Sequence, residues 1–351
     1  GFPKGGMLTH KNIVNNGISI GDCMKFTEED RLCIPVPFFH CFGLVLAILA
    51  AVSHGATMLP LLWYTPMKVM HTIEYEKCTA VHGVPTMFIG ILEHRDFALY
   101  DYSTLRTGIM AGSPCPIKVM QDVVDKMNMK EITIAFGLTE ASPVCAQTTV
   151  DDSIEKRVHT VGRTLPNMET KVVDEFNNEV PNGVAGEFCV RGYNVMKGYY
   201  KNPDATAAAI DREGWLHTGD LAVRDDEGYY KITGRIKDTI IRGGENLFPK
   251  EIEDQIYRHP AVRDVSVVGV PSRKYGEEVC AFVIVKDNMQ VPEEDIRNFV
   301  SNNLARHKAP KYVLFVSHFP TTASGKIQKY LLREQAIEAL NLADEANIET
   351  A

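Results

Sequence analysis

Between residues 12 and 135, apolar positions recur in two alternating patterns along the chain. Stretches with helical spacing cover 12–24, 43–53, 66–76, 85–93 and 117–127, and short, nearly unbroken apolar runs cover 31–35, 57–61, 79–82, 107–111 and 131–135. The first kind predicts helices and the second buried strands. Their alternation predicts crossover units, hence a mainly parallel sheet with helices on its faces. Ligands of such sheets gather at the carboxyl ends of the strands, where the loops Ala111-Gly112-Ser113-Pro114 and Phe136-Gly137-Leu138-Thr139-Glu140 fall.

The texture changes beyond Thr170. Short alternating segments at 171–174, 186–191 and 229–233 are punctuated by Pro181-Asn182-Gly183 and Asp226-Glu227-Gly228, which predicts antiparallel β-structure. After Asp238 comes a compact α+β pattern, with helices expected over 249–258, 293–304 and 327–340 and strands over 262–270, 279–286 and 312–316. The fold class is therefore α/β plus α+β. The expected domains are 1–236 (1–165 α/β, 166–236 β-rich), 237–342 and a tail over 343–351.

Composition narrows the function classes. With 351 residues, 45% hydrophobic and 23% charged, the chain suits two or more globular cores. A formal net charge of −8 argues against general nucleic-acid affinity while leaving room for a local basic phosphate pocket. The 8 cysteines form no Cys-x-x-Cys pair, which suits core residues in a reducing, cytoplasmic setting. The apolar run 44–52 is far shorter than the roughly 20 residues a spanning helix needs, so it reads as a buried helix.

The candidate chemistry begins with Gly214-Trp215-Leu216-His217-Thr218-Gly219-Asp220, followed by Gly234-Arg235-Ile236-Lys237-Asp238. Here an acid and a base stand beside backbone-permissive Gly/Thr turns, which suits a polyhydroxylated anionic ligand such as a nucleotide. A hydroxyl and a carboxylate at Thr139-Glu140 can meet a phosphate oxygen and a magnesium ion. By itself the pair also reads as a helix N-terminus capped by Thr139. Lys326, in Pro320-Thr321-Thr322-Ala323-Ser324-Gly325-Lys326-Ile327, follows a glycine turn that could project its point charge.

Taken together these segments resemble the adenylate-forming superfamily of acyl- and aryl-CoA synthetases, luciferases and adenylation domains, over residues 1 to about 333. The resemblance implies that Phe136 stacks on adenine in place of the family's tyrosine and that Gly112, Ser113 and Pro114 pack on adenine's other face. Asp220 would bind the ribose hydroxyls, with Arg235 as a ribose or phosphate contact. Thr139 and Glu140 would serve phosphate and Mg²⁺, and Lys326 would stabilise charge in adenylation. Lys237 would be the domain hinge, and Gly243, Gly244 and Glu245 would line the passage for CoA. Phe38 and His40, in Pro35-Val36-Pro37-Phe38-Phe39-His40, would border the acyl pocket. No aspartate for a substrate ammonium stands in that segment, which favours an uncharged acid. Gly137, where acetate-specific relatives carry tryptophan, would leave the pocket open.

The run Arg191-Gly192-Tyr193 and Val195–Tyr200 is most similar to fatty-acyl-CoA synthetases of the medium-chain type. The opening Gly1-Phe2-Pro3-Lys4-Gly5-Gly6 matches only the end of the family's phosphate loop, with Lys4 as a nucleotide contact. A large N-terminal portion is therefore expected outside this sequence, leaving the present chain poorly active and inclined to self-associate. The implied reaction is ATP-dependent ligation of a medium or longer fatty acid to CoA through an acyl-adenylate. The alternatives are an aryl-CoA ligase, an acyl-AMP ligase loading a carrier protein, and a non-catalytic nucleotide-binding fragment.

Overall fold

Seven strands build the first sheet: β1 (Arg31–Ile34), β2 (Thr57–Pro60), β3 (Ala80–Gly83), β4 (Thr107–Met110), β5 (Glu131–Gly137), β6 (Val144–Gln147) and β7 (Arg163–Thr164). They lie in the order β2-β1-β3-β4-β5-β6-β7, parallel through β5 and antiparallel beyond it. The computed structural model describes residues 4–113, 115–322 and 326–346. It divides into two compact units, Gly1–Ile232 and Thr233–Ala351.

Strand alternation sorts the first core into two layers. Leu32, Ile34, Ala80, Ile109 and Ala135 face the helix His10–Cys23 and the segment Phe42–Ser53, whereas Cys33, Val81, Met110 and Ile134 face the helices Pro66–Tyr75, Pro85–Leu92 and Ile117–Lys126. Central strands covered on both faces are buried at every position, which is why β3 and β4 read as nearly unbroken apolar runs. The expected helix at 43–53 is wound as a π-helix over Phe42–Leu49 before an α-turn at Ala50–Ser53. Beside it His82, fully buried, donates from Nε2 to the Leu46 carbonyl (3.0 Å) and accepts the Ile109 N–H at Nδ1 (3.2 Å).

The β-rich part holds β8 (Met168–Val173), β9 (Gly186–Gly192), β10 (Leu216–Arg224) and β11 (Tyr230–Arg235), in the order β11-β10-β9-β8. The sequence pattern foretold three of these. It read the stretch of β10 as a turn because of Thr218-Gly219-Asp220. Gly219 does have φ +71°, but it sits in a bulge that interrupts the register between His217 and Leu221 without ending the strand. Strand β6 and the short helices Ile154–His159 and Pro203–Ala209 also went unforeseen.

In the second unit, β12 (Ile240–Arg242), β13 (Glu245–Leu247), β14 (Val262–Ser272), β15 (Gly276–Val285) and β16 (Tyr312–Phe315) form a five-stranded sheet. The helices Pro249–Ile256 and Glu293–Ser301 cover one face and Lys329–Ala339 the other. All three lie within the ranges expected for them.

Candidate functional site

The predicted segments of the first unit follow the carboxyl ends of parallel strands of one sheet. The chain leaving β1 carries Phe38 to Phe42, the chain leaving β4 carries Gly112 and Ser113, and β5 runs directly into Thr139-Glu140. Gly112, at φ +91°, lies so close to Val84 that a Cβ there would stand 3.0 Å from Val84 Cγ1, with Phe42 also nearby. Pro114 lies outside the described residues. His40 accepts the Phe42 N–H at Nδ1 (3.1 Å), so its protonated nitrogen is Nε2. Its neighbour Cys41 reaches Thr139, Sγ to Oγ1 3.7 Å. Phe38 remains part-exposed.

Thr139 does not cap a helix. It opens the 3₁₀ turn Thr139–Ala141, whose cap position is Leu138, and no side-chain capping bond is made. Its hydroxyl instead faces Cys41.

Glu140 is held from the far side. The Tyr199 hydroxyl donates to Glu140 Oε1 at 2.7 Å, and the Glu140 carbonyl accepts the Met196 N–H at 2.9 Å. Burial, and then the neighbouring Glu140 carboxylate, push the Tyr199 phenol well above its ordinary value, so it stays a donor. The Lys4 ammonium lies 4.4 Å above the Tyr199 ring centroid. Segment 5–7 pairs with 197–200 through Met7 N to Gly198 O (2.9 Å), Lys197 N to Met7 O (2.9 Å) and Tyr200 N to Gly5 O (2.7 Å). Tyr199 had been noted only as part of a resembling run, and nothing in its own spacing marked it as the residue joining Lys4 to Glu140.

Phe136 packs edge-on against Phe188 (centroids 5.2 Å apart, 75° between planes) at the border of the β-rich core. The structure gives Gly137 a reason of its own. A Cβ at this position would lie 1.9 Å from the Pro143 carbonyl oxygen and 2.8 Å from Val144 Cα. The close approach of β5 and β6 is thus a packing reason for the glycine.

Asp220 is buried in β10, its N–H bonded to Thr218 Oγ1 (3.1 Å), while Thr218 in turn donates to the Phe188 carbonyl (2.7 Å). Burial, with the Asp220 charge adding to it, pushes the Cys145 thiol on β6 well up.

In the second unit Arg235 is exposed at the end of β11, and Lys237 is exposed in the 3₁₀ turn Ile236–Asp238. Gly243 and Gly244 form the two-residue turn between β12 and β13, with φ +60° and +85°. Two successive positive φ values define a turn type that glycines fill without strain, so both have a structural reason to be there. Glu245 pairs with His307 at 3.2 Å. Lys326 closes a small hairpin, its N–H bonded to Thr322 Oγ1 (3.2 Å) and its carbonyl accepting the Thr322 N–H (2.9 Å). Residues 323–325 lie outside the described residues.

The protein thus has a parallel sheet with these loops at its carboxyl ends, a buried aspartate on an antiparallel sheet, and a separate α+β unit. The chain belongs to the AMP-binding enzyme family: that family's profile matches residues 1–200, and the AMP-binding enzyme C-terminal domain matches 251–326. It is 58% identical to YngI of Bacillus subtilis (strain 168), over 98% of this chain and 63% of that protein. It is 41% identical to the medium-chain acyl-CoA ligase ACSF2, mitochondrial, of Bos taurus, over 97% of this chain and 57% of that protein. A crystal structure of the anthranilate CoA ligase AuaEII in complex with anthranoyl-AMP superposes with a TM-score of 0.90 at 28% identity, over 97% of this chain and 66% of that one. The chain thus spans about 60% of the length of the curated relatives it matches. Among the described residues no helix is long and apolar enough to cross a membrane.

Proposed function

We propose that the protein carrying this chain is an ATP-dependent acid–thiol ligase that joins a medium-chain or longer fatty acid, bearing no ammonium group, to CoA. The carboxylate attacks the α-phosphate of ATP, expelling pyrophosphate and giving an acyl-adenylate. The CoA thiol then displaces AMP. The convergence of Lys4 and Glu140 on Tyr199, beside the carboxyl ends of the parallel strands, carries this reading. It sets a cation and a carboxylate where a polyphosphate and its counter-ion are expected to lie. Phe136 and Asp220 are the adenine and ribose contacts in this proposal, Arg235 a second nucleotide contact, and Lys326 the charge serving adenylation.

Magnesium fits the donor set. Tyr199 engages Glu140 Oε1, and one carboxylate together with phosphate oxygens and water is an ordinary Mg²⁺ environment. Bound there, the ion would neutralise phosphate charge. Chain-length preference rests on the run 191–200 and on the likeness to a medium-chain ligase, not on Gly137.

The test is acid-dependent ATP–pyrophosphate exchange and CoA-dependent AMP release by the full-length protein, across aliphatic and aromatic acids. Octanoate is expected to outperform both acetate and benzoate. Exchange with aromatic acids alone would move the protein to the aryl-CoA ligases. Exchange without CoA turnover, but with transfer to a carrier protein, would make it an acyl-AMP ligase. No exchange with any acid would end the proposal.

A further inference from the structure

The bulged strand pair that carries Asp220 also carries a second cluster on its other register, and the ligase reaction has no use for it. Glu187 and Cys189 are alternate residues of β9, so they share one face, and His217 of β10 is the direct cross-strand partner of Cys189. His217 Nδ1 stands 2.8 Å from Glu187 Oε2 and 3.4 Å from Cys189 Sγ. Among the described residues this is the group of three or more His, Cys, Asp or Glu side chains whose ligand atoms converge, all within 4.8 Å of one another. We propose that Glu187, Cys189 and His217 form a binding site for a zinc-class divalent ion that clasps β9 to β10 three residues before Asp220.

The geometry separates this from a nucleophilic triad. In a Cys–His–acid relay the thiol and the acid address opposite nitrogens of the imidazole. Here both address Nδ1. The other nitrogen, Nε2, faces Asp211 Oδ2 at 3.7 Å. The carboxylate is beyond direct hydrogen-bond reach there, but it stands on the side where an outer carboxylate backs a metal-binding histidine. Asp211 is itself fixed by the N–H groups of Glu213 and Trp215 on Oδ1 (both 2.9 Å), which leaves Oδ2 turned to the ring. Glu187 is likewise aimed: its Oε1 accepts the Gly219 N–H at 2.8 Å, so Oε2 points at the cluster.

Distances and donor types name the ion. Tetrahedral bonds of about 2.0–2.3 Å separate ligand atoms by about 3.3–3.6 Å. The Nδ1–Sγ spacing already meets that, and the Nδ1–Oε2 pair needs to open by only about half an ångström as an ion replaces its hydrogen bond. One thiolate, one imidazole and one carboxylate suit zinc or its neighbours and not magnesium or calcium, which take oxygen. On binding, the Cys189 S–H bond breaks, the sulfur's electron pair goes to the ion and its proton leaves to water; the proton held between His217 Nδ1 and Glu187 Oε2 is also released to water while the ring takes one up at Nε2, which frees the Nδ1 lone pair for the ion. The ion's two positive charges then meet a thiolate and a carboxylate. Lys171, whose ammonium lies 4.6 Å over the Trp215 ring, is the nearby opposing charge. Three protein ligands leave a fourth position for water.

Cobalt, a coloured stand-in for zinc, tests this in the full-length protein freed of metal by chelation. The expected result is a near-ultraviolet thiolate-to-cobalt band with the strong visible absorption of four-coordinate cobalt. The band should be absent in Cys189→Ser and His217→Ala, kept in Cys41→Ser, and reached only at about 10–100-fold higher metal concentration in Asp211→Asn. Zinc X-ray absorption of the wild-type protein should show one sulfur at about 2.3 Å with nitrogen and oxygen neighbours at about 2.0–2.1 Å. A band that survives Cys189→Ser, or a folded wild-type protein that gives none in excess cobalt, overturns the proposal. If the variants do not fold, the wild-type zinc spectrum decides: a shell without sulfur refutes the site. None of these readouts uses ligase activity, so they stand or fall apart from the proposed reaction.

Discussion

The Tyr199 hydroxyl donates to Glu140 Oε1 at 2.7 Å, which ties the carboxylate that follows β5 to the segment 197–200. A hydrogen bond to a charged group of this kind contributes about 1.5–3 kcal/mol. If Glu140 must be aimed for the phosphate chemistry, Tyr199→Phe should slow adenylation about 10- to 100-fold. The phenyl ring keeps the packing and the face beneath Lys4, so thermal stability should change little. Exchange rates and melting curves of the full-length variant check both halves.

Lys326→Ala should cut acyl-adenylate formation by about 10²–10³-fold, the scale of losing one preorganised charge contact. Thioester formation from supplied acyl-adenylate should largely persist, because no phosphoryl charge develops in that step. Single-turnover assays of the two half-reactions separate them, and an equal loss in both would remove Lys326 from the adenylation role.

Gly137→Ala should destabilise the first unit by at least about 1–3 kcal/mol, since its Cβ would enter the Pro143 carbonyl and the backbone cannot swing aside as a side chain can. Gly137→Trp should be worse still. Denaturant unfolding of the two variants measures this. A Gly137→Trp protein with wild-type stability and a new preference for acetate would restore the pocket role and refute the packing account.

Two buried groups give the units opposite responses to acid. Burial lowers His82 from 6.5 to about 4. Its neutral form therefore contributes stability above pH 6.5, and this is lost as pH falls through about 4, on the order of 3 kcal/mol in all. Burial raises Asp264 from 3.8 to about 6. Its protonated form contributes below pH 3.8, and this is lost as pH rises through about 6, on the order of 2–3 kcal/mol. Unfolding measured from pH 4 to 7 should show the first dependence vanish in His82→Gln and the second in Asp264→Asn.

The sequence was most legible where one physical signal acted alone. Nearly unbroken apolar runs marked β3 and β4 because both faces of each strand are covered, and helical spacing marked the three helices of the second unit to within a few residues. It misled where two signals competed. Thr218-Gly219-Asp220 has turn chemistry, yet cross-strand pairing with β9 carries the chain through it as a bulge. The spacing of Tyr199 showed nothing of its link to Glu140, because the partner is 59 residues away in sequence. Gly137 was read from resemblance as leaving a pocket open, and its close approach to Pro143 is a further, packing reason that no local pattern encodes.

The start of the helix His10–Cys23 shows how late this site is completed. Thr9 and Asn12 form its capping box, and the Asn12 side-chain amide also donates to the carbonyls of Tyr193 and Val195, the latter at 3.2 Å across 183 residues. The pairing of segment 5–7 with 197–200 spans a similar distance along the chain. A nascent chain emerging from the ribosome holds Lys4 early but has nothing to seat it against until the stretch around Tyr199 has been made. Nucleotide affinity should therefore appear during synthesis as a late step, well after the parallel strands are available to pair.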